Sequence, residues 1–206
     1  MTDRTPAQAW KEMVRGNERF VRGEPLHPRQ DVERRAELAS GQAPHAALFG
    51  CSDSRLSAEI IFDKGIGDLF VVRNAGQIIS ESVLGSLEYA VGVLHVPLIV
   101  VLGHDECGAV LAAIGSVEGD APPLPLHIAN LVAKIVPAVN RVADRTPGDI
   151  DSQEVGREHL RDTIAELIES SELISDAIAA GTLAIVGANY RLLEGTAIAD
   201  IEIGNL

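Results

Sequence analysis

Two short apolar runs, Ala46-Ala47-Leu48-Phe49 and Leu98-Ile99-Val100-Val101-Leu102, each lead within a few residues to a cysteine, Cys51 after the first and Cys107 after the second. Runs of this length and composition read as strands buried on both faces of a parallel sheet. In an open parallel sheet, ligands gather beyond the carboxyl ends of adjacent strands, so motifs far apart in sequence meet there. Cys51 and Cys107 are the only two cysteines in the chain. With His104 and Asp53 they bring two thiolates, an imidazole and a carboxylate to one crevice, a donor set whose softness and charge suit Zn²⁺.

The remaining bounds agree with one α/β domain. A chain of 206 residues with 46% hydrophobic content buries a full core, and no Pro, Gly or Ser-rich linker divides it. The expected architecture is a mostly parallel, four- to five-stranded sheet flanked by helices. Residues 1–40 are read as an N-terminal helical arm and residues 41–206 as the α/β core. A formal net charge of −13 argues against nucleic acid or an anionic membrane surface as partner, since either wants a basic stripe. The first residues lack the apolar core of a signal peptide, and the longest apolar segment, Val91 to Leu102, is broken by His95 and Pro97. A cytoplasmic location is expected, where two cysteines serve as ligands or packing residues rather than as a disulfide.

Along the chain, Pro6 to Arg22 has the apolar spacing of an amphipathic helix outside any βα repeat. Its Trp10 and Phe20 either pack on their own domain or lie on a second subunit. Asp31 to Ser40 reads as a second helix stopped by Gly41, and His45 to Gly50 as the first strand. A short helix from Ser57 to Phe62, a strand over residues 68–72, a helix from Ser80 to Leu94 and a strand over residues 98–102 follow. A helix from Cys107 to Ile114 precedes a Pro and Gly-rich break at residues 115–125. Leu126 to Val142 and Gln153 to Ala180 are helical in period, the latter divided near Ser170 and Ser171, and residues 182–187 form a fourth strand.

His104 and Cys107 are spaced so that a strand-end residue and a first-turn helix residue face one metal, with Cys51 as third ligand from the neighbouring strand. A helix N-terminus at Cys107 favours thiolate over thiol. Three protein ligands leave a fourth position for water, whose pKa zinc lowers to about 7 in favourable sites. Two thiolates donate more charge than imidazoles, so the value here is expected to lie somewhat higher. Asp53 has two possible roles: it accepts a hydrogen bond from the metal's water, or it is itself the fourth ligand. Arg55, two residues on, is its natural partner and would hold it off the metal.

Several linked motifs carry a resemblance. Cys51-Ser52-Asp53-Ser54-Arg55, Gly67-Asp68-Leu69-Phe70-Val71-Val72-Arg73-Asn74-Ala75-Gly76, Ser86-Leu87-Glu88-Tyr89-Ala90 and Gly103-His104 with Cys107-Gly108 resemble the β-class carbonic anhydrases. The likeness runs from Gly16-Asn17-Glu18-Arg19-Phe20 to Val186-Gly187-Ala188. It implies one zinc per subunit on Cys51, His104 and Cys107, with Asp53 and Arg55 as a catalytic dyad. It also implies that Asp53 closes onto zinc in an inactive state. The activity implied is reversible hydration of carbon dioxide by attack of zinc-bound hydroxide. The assembly implied is a homodimer or a tetramer built from two such dimers, whose substrate cleft uses Gln42, Phe70, Ala75, Tyr89 and Gly108.

The sequence departs from that pattern at two places. Asp105 and Glu106 follow His104 where Ser or Thr is usual, and Leu48 replaces a tryptophan that some members use in an inhibitory bicarbonate pocket, so that pocket is not expected. Two other readings remain open: hydrolysis of carbonyl sulfide or carbon disulfide on the same scaffold, and a non-catalytic structural or redox-sensing zinc protein. His27, His45, His95, His127 and His159 lack ligand spacing and are read as structural or solvated.

Overall fold

The computed structural model describes residues 4–119 and 122–206. Its centre is a five-stranded sheet in the order β2-β1-β3-β4-β5, built from β1 (Ala46–Cys51), β2 (Leu69–Asn74), β3 (Leu98–His104), β4 (Ala184–Tyr190) and β5 (Ala197–Ile203). The first four strands are parallel, and β5 returns antiparallel to β4. Every residue of β1 and β3 is buried, as their unbroken apolar sequences demand.

Successive residues of β1 feed two cores. Ala47 and Phe49 face α4 (Glu81–Gly92), α8 (Ser152–Ser170) and α9 (Glu172–Ala179), packing with Leu87, Leu160, Leu167 and Ile174. Ala46 and Leu48 face α1 (Pro6–Val21) and α3 (Ala58–Ile61), packing with Met13, Ile61 and Phe62. A third cluster joins Cys51, Ile78 and Cys107 to α5 (Gly108–Glu118), α6 (Leu126–Ala133) and α7 (Val136–Arg145). That cluster supplies the apolar floor beneath the strand ends.

Helix α1 begins with a reciprocal cap in which Thr5 accepts from the Gln8 amide at 3.2 Å and Gln8 accepts from the Thr5 amide at 3.0 Å. Its Asn17 donates to Ile61 O at 3.1 Å and Gly195 O at 2.8 Å and accepts from the Ala197 amide at 2.9 Å. One buried amide therefore ties α1 to α3 and to the start of β5. Trp10 and Phe20 pack, partly buried, against this chain's own core. The following α2 (Val32–Glu37) and the 3-10 turn Leu38–Ser40 bury no residue.

Three differences from expectation change the element list or its lengths most. Helix α5 runs through Gly115 to Glu118 and stops at Gly119, which adopts φ +80°. An interior glycine costs a helix only about 1 kcal/mol, so Gly115 was no break. The single helix expected over 126–142 is two, because Pro137 fits a first turn and not an interior. Strand β5 adds a fifth strand beyond the four expected along the chain. Its exposed Ile198, Asp200 and Glu202 alternate with partly buried positions, the signature of a half-covered edge strand. The division expected near Ser170 and Ser171 occurs at Ser171, whose hydroxyl caps α9.

Candidate metal centre

Strands β1 and β3 are neighbours in register, Gly50 opposite Leu102, so their carboxyl ends stop side by side. Cys51 is the last residue of β1, His104 the last of β3, and Cys107 the N-cap of α5. The three side chains are buried, and their donor atoms all lie within 4.8 Å of one another. Asp53 is not in that group. Its carboxylate lies on Arg55, with Nε to Oδ1 at 2.9 Å and Nη2 to Oδ2 at 2.7 Å, and Oδ1 also accepts the Arg55 amide at 2.9 Å. Of the two roles open to Asp53, the structure therefore presents the carboxylate held away from the cluster.

The cluster fits a metal by its own chemistry. Nδ1 of His104 lies 2.8 Å from the Asp105 carbonyl, a contact that requires the proton on Nδ1. The Nε2 lone pair is then left buried without a hydrogen-bond partner. A carbonyl that fixes the tautomer and turns the bare nitrogen toward a metal is the usual outer support of a ligating histidine. The two sulfurs are coupled. The adjacent Cys107 thiol pulls the Cys51 thiol down from its ordinary value, against burial and with help from His104 and from the Gly76 and Asp53 backbone. The negative Cys51 sulfur in turn pushes Cys107 up. A dication seated between the sulfurs would stabilise both as thiolates. No other group of three or more His, Cys, Asp or Glu side chains able to hold a metal occurs among the described residues.

Residues that the sequence reading did not single out hold this geometry. Arg73 donates from Nε to Cys51 O at 2.8 Å and from Nη2 to Asp53 O at 2.6 Å, bracing the loop that carries the dyad. The Asn74 side chain closes on Ile78 through two hydrogen bonds of 2.7 and 2.9 Å, shaping the turn in which the Gly76 amide reaches Cys51 Sγ at 3.4 Å. Gly76 has φ +79°, and a Cβ there would meet Ala109 Cβ at 2.9 Å. Glycine is required for both reasons. Motif Arg73-Asn74-Ala75-Gly76 was visible in the sequence, but its hydrogen bonds were not.

The Asp105 carboxylate is engaged away from the cluster. Its Oδ1 accepts the Leu192 amide at 2.9 Å, and Arg191 lies 3.8 Å from Oδ2. Ala75 and Gly108 sit beside the ligands, both exposed. Phe70 and Tyr89 contact each other at a centroid distance of 6.1 Å, but Phe70 pairs with Ala47 whereas Cys51 pairs with Asn74. Four residues of strand separate the two levels, about 13 Å. Gln42 precedes β1 and is exposed. Within one chain, Gln42, Phe70 and Tyr89 therefore lie toward the opposite end of the sheet from the ligands.

Residues 46–197 match the family described as carbonic anhydrase. The chain is 50% identical to carbonic anhydrase 2 of Mycobacterium tuberculosis over 206 residues, all of this chain and 98% of the relative. The chain belongs to the β-class carbonic anhydrases. A second relative, carbonic anhydrase of Mycolicibacterium smegmatis, is 46% identical over 207 residues, covering all of this chain and 98% of that one. Among solved structures, tetrameric β-carbonic anhydrases of Sordaria macrospora superpose with a TM-score of 0.72 at 26% identity, over 82% of this chain and 87% of that one. The β-carbonic anhydrase of Coccomyxa shares the fold, with a TM-score of 0.72 at 21% identity over 100% of this chain and 90% of that one. The protein is accordingly an enzyme, a carbonate dehydratase. Among the described residues, no helix is long and apolar enough to cross a membrane.

Proposed function

We propose that the protein catalyses the reversible hydration of carbon dioxide with one zinc ion held by Cys51, His104 and Cys107. The observation that carries this reading is the buried trio of donors, with an unpartnered imidazole nitrogen among two thiols, set beside an ion-paired carboxylate. Zinc bound there supplies the Lewis acidity that makes water a nucleophile near neutral pH.

The chain's own residues do the rest. Arg55 holds Asp53 well below the usual carboxylate range, chiefly through its side-chain hydrogen bonds and against burial, so Asp53 is ionised throughout the working pH range. Oδ1 already accepts twice and Oδ2 once, which leaves Oδ2 a lone pair to accept a hydrogen bond from the attacking water and so aim the water's electron pair at carbon. The apolar floor of Ile78, Val110 and Ile135 suits a substrate with no net dipole.

Gln42, Phe70 and Tyr89 join the cleft only if a second copy of the chain supplies them, and a homodimer, with a tetramer as its possible pairing, is part of this reading. A cytoplasmic location accords with two free cysteines in one site. Stopped-flow carbon dioxide hydration on metal-stripped and zinc-restored protein tests the proposal. Turnover should vanish with the metal and return with zinc, whereas equal turnover in both states would refute it.

A further inference from the structure

The 74–77 turn is gripped from outside by α8. Nε2 of His159, which is 3% exposed, lies 2.7 Å from the Gly76 carbonyl, so this nitrogen carries the proton and donates it. One turn later on the same helix face, Thr163 Oγ1 donates to the His159 carbonyl at 2.8 Å and lies 3.3 Å from the Gln77 carbonyl. Gly76 and Gln77 are consecutive left-handed residues, φ +79° and +40°. A glutamine adopts that conformation only where its surroundings impose it. The turn so imposed presents one group to the metal centre, the Gly76 amide at 3.4 Å from Cys51 Sγ.

We propose that His159 is a positioning residue of the metal centre, holding the Gly76 peptide so that its N–H donates to the Cys51 thiolate and moderates that sulfur's charge. The inference rests on Cys51 being a metal ligand. His159 reaches the sulfur only through Gly76 and touches no reacting atom. A hydrogen bond to a ligating thiolate lowers the electron density it gives the metal, which leaves the metal a stronger Lewis acid. Burial lowers the His159 pKa, and Nε2 carries its proton in either form of the ring, so the donor does not depend on titration. A histidine whose only task is to dock α8 on the turn would affect stability and nothing at the sulfur.

The test compares wild type, His159→Leu and His159→Gln. Leucine removes the donor, whereas the glutamine amide places an N–H near the position of Nε2. Zinc affinity is measured by chelator competition, and the cobalt-loaded proteins give the energy of the thiolate-to-metal charge-transfer band. His159→Leu should move the band to lower energy, because the sulfur loses its donor, and should weaken zinc binding about tenfold to a hundredfold, because the turn that positions Cys51 is no longer held; His159→Gln should restore most of both. A folded His159→Leu protein with lowered thermal stability but unchanged affinity and band energy would overturn the proposal.

If the leucine variant does not fold, cadmium-113-loaded wild type gives the answer by NMR. The Gly76 amide proton should show scalar coupling to the metal through sulfur, and His159 should show a slowly exchanging Nε2 proton. Absence of either overturns the proposal. Wild type that binds neither zinc nor cobalt would defeat the metal reading itself, an outcome separate from the variant comparison.

Discussion

Arg55 grips both carboxylate oxygens of Asp53, and the same guanidinium reaches the Glu106 carbonyl at 3.1 Å. The pair thus bridges the loop after β1 and the turn before α5, the two segments that carry Cys51 and Cys107. Loss of Arg55 frees the carboxylate and also unties those segments.

Arg55→Ala should therefore lower turnover by at least about tenfold at every pH, because the released Asp53 is free to swing toward the metal position. Stopped-flow hydration across pH 6 to 9 measures it, at about half-unit steps around the histidine range. A variant with wild-type rates would remove Arg55 from the mechanism.

Cys51→Ser, His104→Ala and Cys107→Ser should each lose most bound zinc and essentially all turnover, since two remaining ligands bind weakly. Elemental analysis after dialysis against a chelator decides the matter. Full zinc occupancy in any one variant excludes that residue as a ligand.

Gln42 separates a one-chain site from a two-chain site. It is exposed at the far end of the sheet from the ligands, so a monomeric site predicts no effect of Gln42→Ala on folding or rate. The shared cleft predicts wild-type thermal stability with reduced turnover. Mixing Gln42→Ala with the inactive Cys51→Ser chain, then allowing subunits to exchange, should regenerate activity above that of either alone.

The parts of this protein that the sequence makes legible are those where one physical signal dominates. Unbroken apolar runs mark β1 and β3, and strand-end chemistry marks Cys51, His104 and Cys107. The edge strand β5 carries Asp200 and Glu202 among its isoleucines, which blurs the apolar signal although the alternation is present. His159 illustrates a different limit. On a helix with polar neighbours nothing in its spacing distinguishes a solvated histidine from one that is 3% exposed and bonded to a turn 83 residues away. The dyad's geometry was equally hidden, since residue types show that Asp53 and Arg55 fit each other but not which way the carboxylate turns.

A second ion pair contributes to the acid sensitivity of the fold. Asp68 has a fully buried side chain that accepts from Arg29 Nε and Nη2 and from the Gly65 amide at 2.8 Å. Burial pushes its carboxyl up, but those donors outweigh it and the net shift is downward. A depressed carboxylate contributes stability that is full above the unfolded value of about 4 and is lost as pH falls through the lower folded value. Arg29→Ala should cost about 2–3 kcal/mol at neutral pH, the cost of stranding a buried charge. It should also flatten the loss of stability below about pH 4. Urea unfolding at pH 7 and pH 3.5 measures both effects, and a variant as stable as wild type at neutral pH would show that Asp68 needs no partner.

Zinc K-edge X-ray absorption on the active wild-type protein, with the metal counted per chain, tests whether Cys51, His104 and Cys107 hold a catalytic zinc. One zinc per chain is expected, with two sulfur neighbours at about 2.3 Å and two nitrogen or oxygen neighbours at about 2.0 Å. Active protein whose zinc shows no sulfur, or that hydrates carbon dioxide at full rate without stoichiometric metal, would contradict that assignment.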